Sequence, residues 1–163
     1  MTFLDDVAAA LVRAGRSLEV DPTLSTIDVS SAATGQVLAV VRPVARAVTF
    51  YVVHPMLVPA VSVAAVSELV VRATADLVDA CLELDLATGA LAVRFGVVLG
   101  ELDLAEDELA ELLDAALDTV ETAAEAYTGA IDDVLAGVDP RIASTAVRRA
   151  PVEEQLAVEL DDA

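Results

Sequence analysis

Lysine and tryptophan are absent from this chain of 163 residues, and cysteine and histidine occur once each. Each gap closes a class of function. The lone Cys81 cannot form an internal disulfide, and its apolar setting suits a small core residue in a reducing compartment. One Cys and one His fall short of a zinc site unless carboxylates complete it. A Ser-His-Asp arrangement has no base to use but His54, which stands beside Pro55 at a strand end. Aromatic residues make up 3% of the chain. Phe3, Phe50, Tyr51, Phe95 and Tyr127 are too few for the sugar-stacking cleft of a paired-carboxylate glycosidase. There is no G-x-G-x-x-G, no P-loop and no nucleophile elbow. The acidic run Glu106-Asp107-Glu108 with Glu111 lacks the glycine and the alternating ligands of a calcium loop. No catalytic residue, metal ligand or cofactor site is predicted, and the expectation is a protein that is not an enzyme.

Positive charge is also scarce. Nine bases, all Arg, face 28 acids, for a net charge of −19. Such a surface repels phosphate backbones and anionic headgroups, which speaks against nucleic acid and membrane as partners. It leaves another protein, with basic or apolar patches, as the expected partner. The same excess of carboxylate also serves solubility in a salt-rich cytoplasm. Residues 47–66 approach the length of a membrane span, but His54, Pro55 and Pro59 interrupt them. Acids near the N-terminus are unlike a signal peptide, so a cytoplasmic location is expected.

What the chain has in plenty is small and branched apolar residues: 56% of it is apolar. At this length a core forms without disulfide or metal. A first helix is capped by Thr2 and ended by Gly15, with Phe3, Leu4, Val7 and Leu11 as its apolar stripe. Short strands are predicted at Leu18–Val20, Thr26–Val29, Val37–Val41 and Ala47–Val53. The last two are apolar on both sides: Val48, Phe50 and Val52 face one way, Thr49, Tyr51 and Val53 the other. Strands of that kind are covered on both faces, one by helices and the other by a second subunit. A helix follows at about Ser62–Leu77. Then comes a hairpin of Cys81–Leu86 and Leu91–Leu99 around Thr88-Gly89. Parity favours a register that pairs Leu86 with Leu91, Leu84 with Val93, Leu82 with Phe95, and Glu83 with Arg94. A long helix spans about Ala105–Ala136, capped by Asp103 and ended by Gly137. Leu113, Val120, Tyr127 and Val134 recur every seven residues along it, with Leu109, Ala116, Ala123 and Ala130 in step, and this stripe is expected to lie on the chain's own sheet.

Four phrases, in order, resemble the YbjN family, bacterial candidate regulators of sensory transduction with a type III secretion chaperone-like fold. VTFYVVHPMLVP (Val48 to Pro59) is similar to its strand leading into the middle helix. VSELVVRAT (Val66 to Thr74) is similar to that helix. LELDLATGALAVRF (Leu82 to Phe95) is similar to its hairpin, and EAYTGAIDDVLAG (Glu125 to Gly137) to the Tyr-bearing end of its last helix. The resemblance implies an α+β domain over residues 1–145, ordered α-β-β-β-α-β-β-α, with a twisted antiparallel sheet packed by helices. Residues 146–163 are left as an acidic tail. It also implies a homodimer that binds a partner protein, as chaperone or regulator, without catalysis. Phe50, Tyr51, Val53, Met56 and Leu57 are the expected partner-binding or dimer surface. A small-molecule sensor, with a pocket between the sheet and the long helix, is the alternative.

Overall fold

A computed structural model describes residues 2–148. The first helix, α1, is Phe3–Arg13. Thr2 and Asp5 close its start reciprocally: the Asp5 amide donates to Thr2 Oγ1 at 3.3 Å, and the Thr2 amide donates to Asp5 Oδ2 at 2.7 Å. This satisfies amides that have no partner inside the helix. Leu4, Val7, Ala10 and Leu11 are its buried stripe.

Six strands follow: β1 Leu18–Asp21, β2 Thr26–Ser31, β3 Gly35–Arg42, β4 Ala47–Val53, β5 Cys81–Leu84 and β6 Leu91–Val98. They form one antiparallel sheet in the order β1-β2-β3-β4-β6-β5. The class is α+β as expected, with four strands before the middle helix because β1 and β2 make a hairpin of their own. Between β4 and β5 lie a 3-10 turn, Ala60–Ser62, and α2, Val63–Thr74. The long helix α3 is Glu106–Leu135. It packs on β4 and β6 of the sheet and against α1 and α2.

All three helices cover the same side of the sheet. Residues paired across the strands share a face, so the register defines that side: Ile27, Ala39, Phe50 and Phe95 lie in one row, and Val37, Val52, Val93 and Leu82 in the next. Ile27, Val37, Ala39 and Phe50 are wholly buried. The heptad stripe of α3 closes over them. Leu113, Val120, Tyr127 and Val134 are all buried, and so are Leu109, Ala116, Ala123 and Ala130. The helix therefore lies on its own sheet, as its spacing predicts.

Arg16, just past α1, ties α1 to α3. Its guanidinium reaches Asp114 at 2.7 Å, Asp118 at 2.6 Å and Glu121 at 3.3 Å. These acids stand four and then three residues apart, so they share one helix face. Burial works against the charge on Arg16, but hydrogen bonds to Asp114 and Asp118 outweigh it and raise its pKa above the usual value.

Four expectations need correction. The hairpin pairs Leu84 with Leu91, Leu82 with Val93, Glu83 with Ala92 and Cys81 with Arg94. The faces are as predicted, but the register is two residues away. Asp85 is the reason: its Oδ1 accepts from the Ala87 amide at 2.8 Å, its Oδ2 accepts from the Thr88 hydroxyl at 2.7 Å, and its own amide donates to Ala90. Leu86 is thereby pulled out of the strand into an exposed turn. Glu83 and Arg94 still meet, diagonally, at 2.5 Å. The start of α3 is held by Glu108, whose Oε2 accepts from the Ala105 amide at 2.8 Å, and not by Asp103. The middle helix ends at Thr74, where the amides of Asp76 and Leu77 both turn back to the Ala73 carbonyl. Finally, residues 140–148 form a helix that the sequence reading did not place. Asp139 Oδ1 accepts from the Arg141 amide at 2.8 Å, so Asp139-Pro140 starts this helix. It packs through Pro140, Ala143 and Ser144, while Ile142 points outward. Most of the expected acidic tail, residues 149–163, lies outside the described residues.

Candidate interaction surface

The side of the sheet opposite the helices carries no covering element among the described residues. Its rows follow from the same register. One row runs Glu19, Asp28, Leu38, Tyr51, Arg94, Cys81; the next runs Ser30, Gln36, Val53, Ala92, Glu83. On the other flank come Thr26, Val40, Thr49 and Gly96, then Arg42, Ala47 and Val98. The centre is apolar: Leu38, Val40, Tyr51, Val53, Ala92 and Val98, with Val98 73% exposed. The two-sided apolar character read from β3 and β4 is thus real: the helix side is buried, while the outer side is half-buried at Leu38, Val40, Tyr51 and Ala92, exposed at Val53 and Val98, and buried only at Ala47 and Thr49.

Charge is distributed unevenly across the face. Acids Glu19, Asp21 and Asp28 occupy the β1–β2 side, while on the β6–β5 side Arg94 stands paired with Glu83. Arg94 is raised in pKa by neighbouring Cys81 first, then Glu83 and Tyr51. Among the described residues, Arg42 is the one arginine without an ion pair or hydrogen bond.

The structure separates the five expected surface residues. Phe50 does not belong to the surface: it points to the helices and is wholly buried between Ala39 and Phe95. Its neighbour Tyr51 points the other way, half-buried at the middle of the open face. Val53 ends that face at 52% exposure. Met56 and Leu57, at 53% and 65%, lie in the segment beyond β4. Val98 and Ala92 went unnoticed in sequence because β6 alternates with polar and small residues, Arg94 and Gly96, which hide its outer apolar positions.

His54 is not beside a nucleophile-and-base pair. Its Nε2 lies 3.3 Å from Asp132 Oδ1, and its Nδ1 3.1 Å from the Met56 carbonyl oxygen. It ties the end of β4 to α3 and holds the Asp132 carboxylate in place. Cys81 is half-buried and free at the outer face. Among the described residues, no three of His, Cys, Asp and Glu converge as a metal-holding group, and no helix is long and apolar enough to cross a membrane.

No family model matches this chain, and none of the curated proteins does. Among solved structures it is similar to the crystal structure of YbjN, a candidate transcription regulator from E. coli. The TM-score is 0.58 at 10% sequence identity, over 77% of this chain and 90% of that one. At that identity the likeness is one of fold: the chain has a YbjN-like fold.

Proposed function

We propose that this chain is a non-catalytic, protein-binding module, chaperone-like or regulatory, that works as a homodimer and engages a partner protein. The observation that carries the reading is the uncovered apolar sheet face, set on a protein whose remaining surface is strongly acidic. A contiguous apolar patch of strand surface is a place where another surface belongs. The YbjN-like fold, found in a candidate regulator, is consistent with this. The exposed Met56 and Leu57 beyond β4 supply an adaptable surface for the partner.

The charges select one way of pairing two copies. In a twofold dimer both copies use the same patch. If the axis crossed the strands, the acidic β1–β2 side would meet itself. If the axis runs along the strands, between β3 and β4, that side meets the β6–β5 side of the second copy. Asp28 then faces Arg94 of the other chain, twice, and Leu38 faces Tyr51. The sheets stack with strands roughly aligned, the common arrangement of packed sheets.

A charge swap tests this. Asp28→Arg and Arg94→Asp, each alone, are expected to shift the dimer toward monomer in sedimentation velocity, by about tenfold or more in dissociation constant. Asp28→Arg combined with Arg94→Asp restores the pair with reversed signs and is expected to recover the dimer. Two single variants as dimeric as the parent would refute this pairing.

A further inference from the structure

His54 stands where β4 ends and the exposed Met56–Leu57 segment begins, and its own side chain is only 7% exposed. Its Nδ1 lies 3.1 Å from the Met56 carbonyl oxygen and 3.3 Å from the Met56 amide nitrogen. One ring nitrogen cannot serve both at once. It needs a lone pair to accept from the amide and a proton to donate to the carbonyl. We infer that His54 is a proton switch on the segment offered to the partner. The neutral ring holds the Met56 N–H and leaves its carbonyl free; the protonated ring holds the carbonyl and frees the N–H.

The second ring nitrogen decides where the proton goes. Nε2 lies 3.3 Å from Asp132 Oδ1 on α3. An ionised carboxylate only accepts, so Nε2 keeps its hydrogen in both states. That sets the neutral tautomer, with the lone pair on Nδ1 turned to the Met56 amide. A second proton then has one place to go, Nδ1, and converts it from acceptor to donor. The charged groups around the ring come from α3 alone: Asp132, and Glu125 in the same cleft. The strands and the β2–β3 turn bring Val52, Leu91, Val93 and Thr34 there, and no base lines the cleft.

The backbone is held on both sides of the switch. The His54 amide donates to the Leu91 carbonyl at 2.8 Å, and the Val58 amide donates to the Gly89 carbonyl at 2.8 Å. Among the described residues neither polar group of the Met56 backbone has a hydrogen-bond partner besides the ring. The exchange therefore turns the peptide groups at Met56 and leaves β4 and the hairpin in place. Met56 and Leu57 are 53% and 65% exposed, so a docking chain meets the result directly. A partner that arrives with an N–H finds a free carbonyl when the ring is neutral. One that arrives with a carbonyl finds a free N–H when the ring is charged. That consequence rests on the partner role proposed above; the exchange of bonds itself does not.

Nuclear magnetic resonance of the full isotope-labelled chain tests the switch. The chain has a single histidine, so every imidazole signal belongs to His54. At about pH 8 the ring nitrogens are expected to report the Nε2–H tautomer. As the pH falls to about 5 and the ring takes its proton, the Met56 amide is expected to lose about tenfold of its protection against hydrogen exchange, measured relative to an unstructured chain at the same pH. The His54 and Val58 amides keep theirs. In His54→Gln the Met56 amide shows no such step. An Nδ1–H tautomer at about pH 8, a ring that takes no proton down to about pH 5, or Met56 protection unchanged while the ring titrates would each overturn the switch. None of these results touches the dimer, and a failed charge swap on the outer face leaves this titration as it stands.

Discussion

The Tyr127 hydroxyl donates to Asp76 Oδ2 at 3.2 Å, and Arg148 Nε donates to the same oxygen at 2.8 Å. Burial pushes the phenol up to about 12, and the Asp76 carboxylate adds to the effect. A phenol normally titrates near 10. Raised in the fold, it contributes stability that is whole below pH of about 10 and is lost as the pH climbs through about 12. Tyrosinate absorbance should therefore show a late step near pH 12, absent in Tyr127→Phe. That variant loses a hydrogen bond worth about 1 kcal/mol and keeps its fold. At this scale the sequence was legible in part. Tyr127 stands out through its heptad spacing, but its partner Asp76 lies far away in the chain, where no local pattern links them. Phe50 and Tyr51 are legible as opposite-facing neighbours. Which of the two faces the helices cover depends on where α1 and α3 return, and the strand itself carries no sign of that.

Turns set the outcome at the level of elements. β4 was readable from end to end, since all its residues but Thr49 are apolar or aromatic and Pro43 and Pro55 bound it. The β5–β6 hairpin was readable in its faces and misread in its register, because Asp85 outcompetes Leu86 for the strand end by gathering the turn's donors. Asp139-Pro140 signals equally a stop and a start, and only the packing of Ala143 and Ser144 decides for a helix. Gly89 carries the sharpest constraint in this region. Its φ is +78°, and a Cβ placed there would stand 2.7 Å from the Val58 carbonyl oxygen. The Val58 amide donates to the Gly89 carbonyl at 2.8 Å. This glycine thus lets the hairpin turn dock on the segment that leads into α2. Gly89→Ala is expected to cost about 2–3 kcal/mol, through left-handed strain and backbone contact together. Urea unfolding of the two proteins measures it. A loss within about 0.5 kcal/mol would mean that the turn does not depend on this approach.

For the whole molecule, two surfaces of opposite character coexist. Three helices seal one side of a six-stranded sheet. The other side leaves Val53 and Val98 exposed and Leu38, Val40 and Tyr51 half-buried, on a body that otherwise repels its own copies through its charge. Salt should thus strengthen self-association, since screening weakens the long-range repulsion while the apolar contact, and the Asp28–Arg94 pairs once buried in the interface, are screened much less. The sequence foretold the surplus of apolar strand surface, while the asymmetry of charge across it emerged only when the register laid the strands side by side. Light scattering coupled to size exclusion, on the native chain at low micromolar concentration, weighs the central point directly. A mass of twice 16.8 kDa is expected, and a particle of 16.8 kDa at every salt concentration would contradict it.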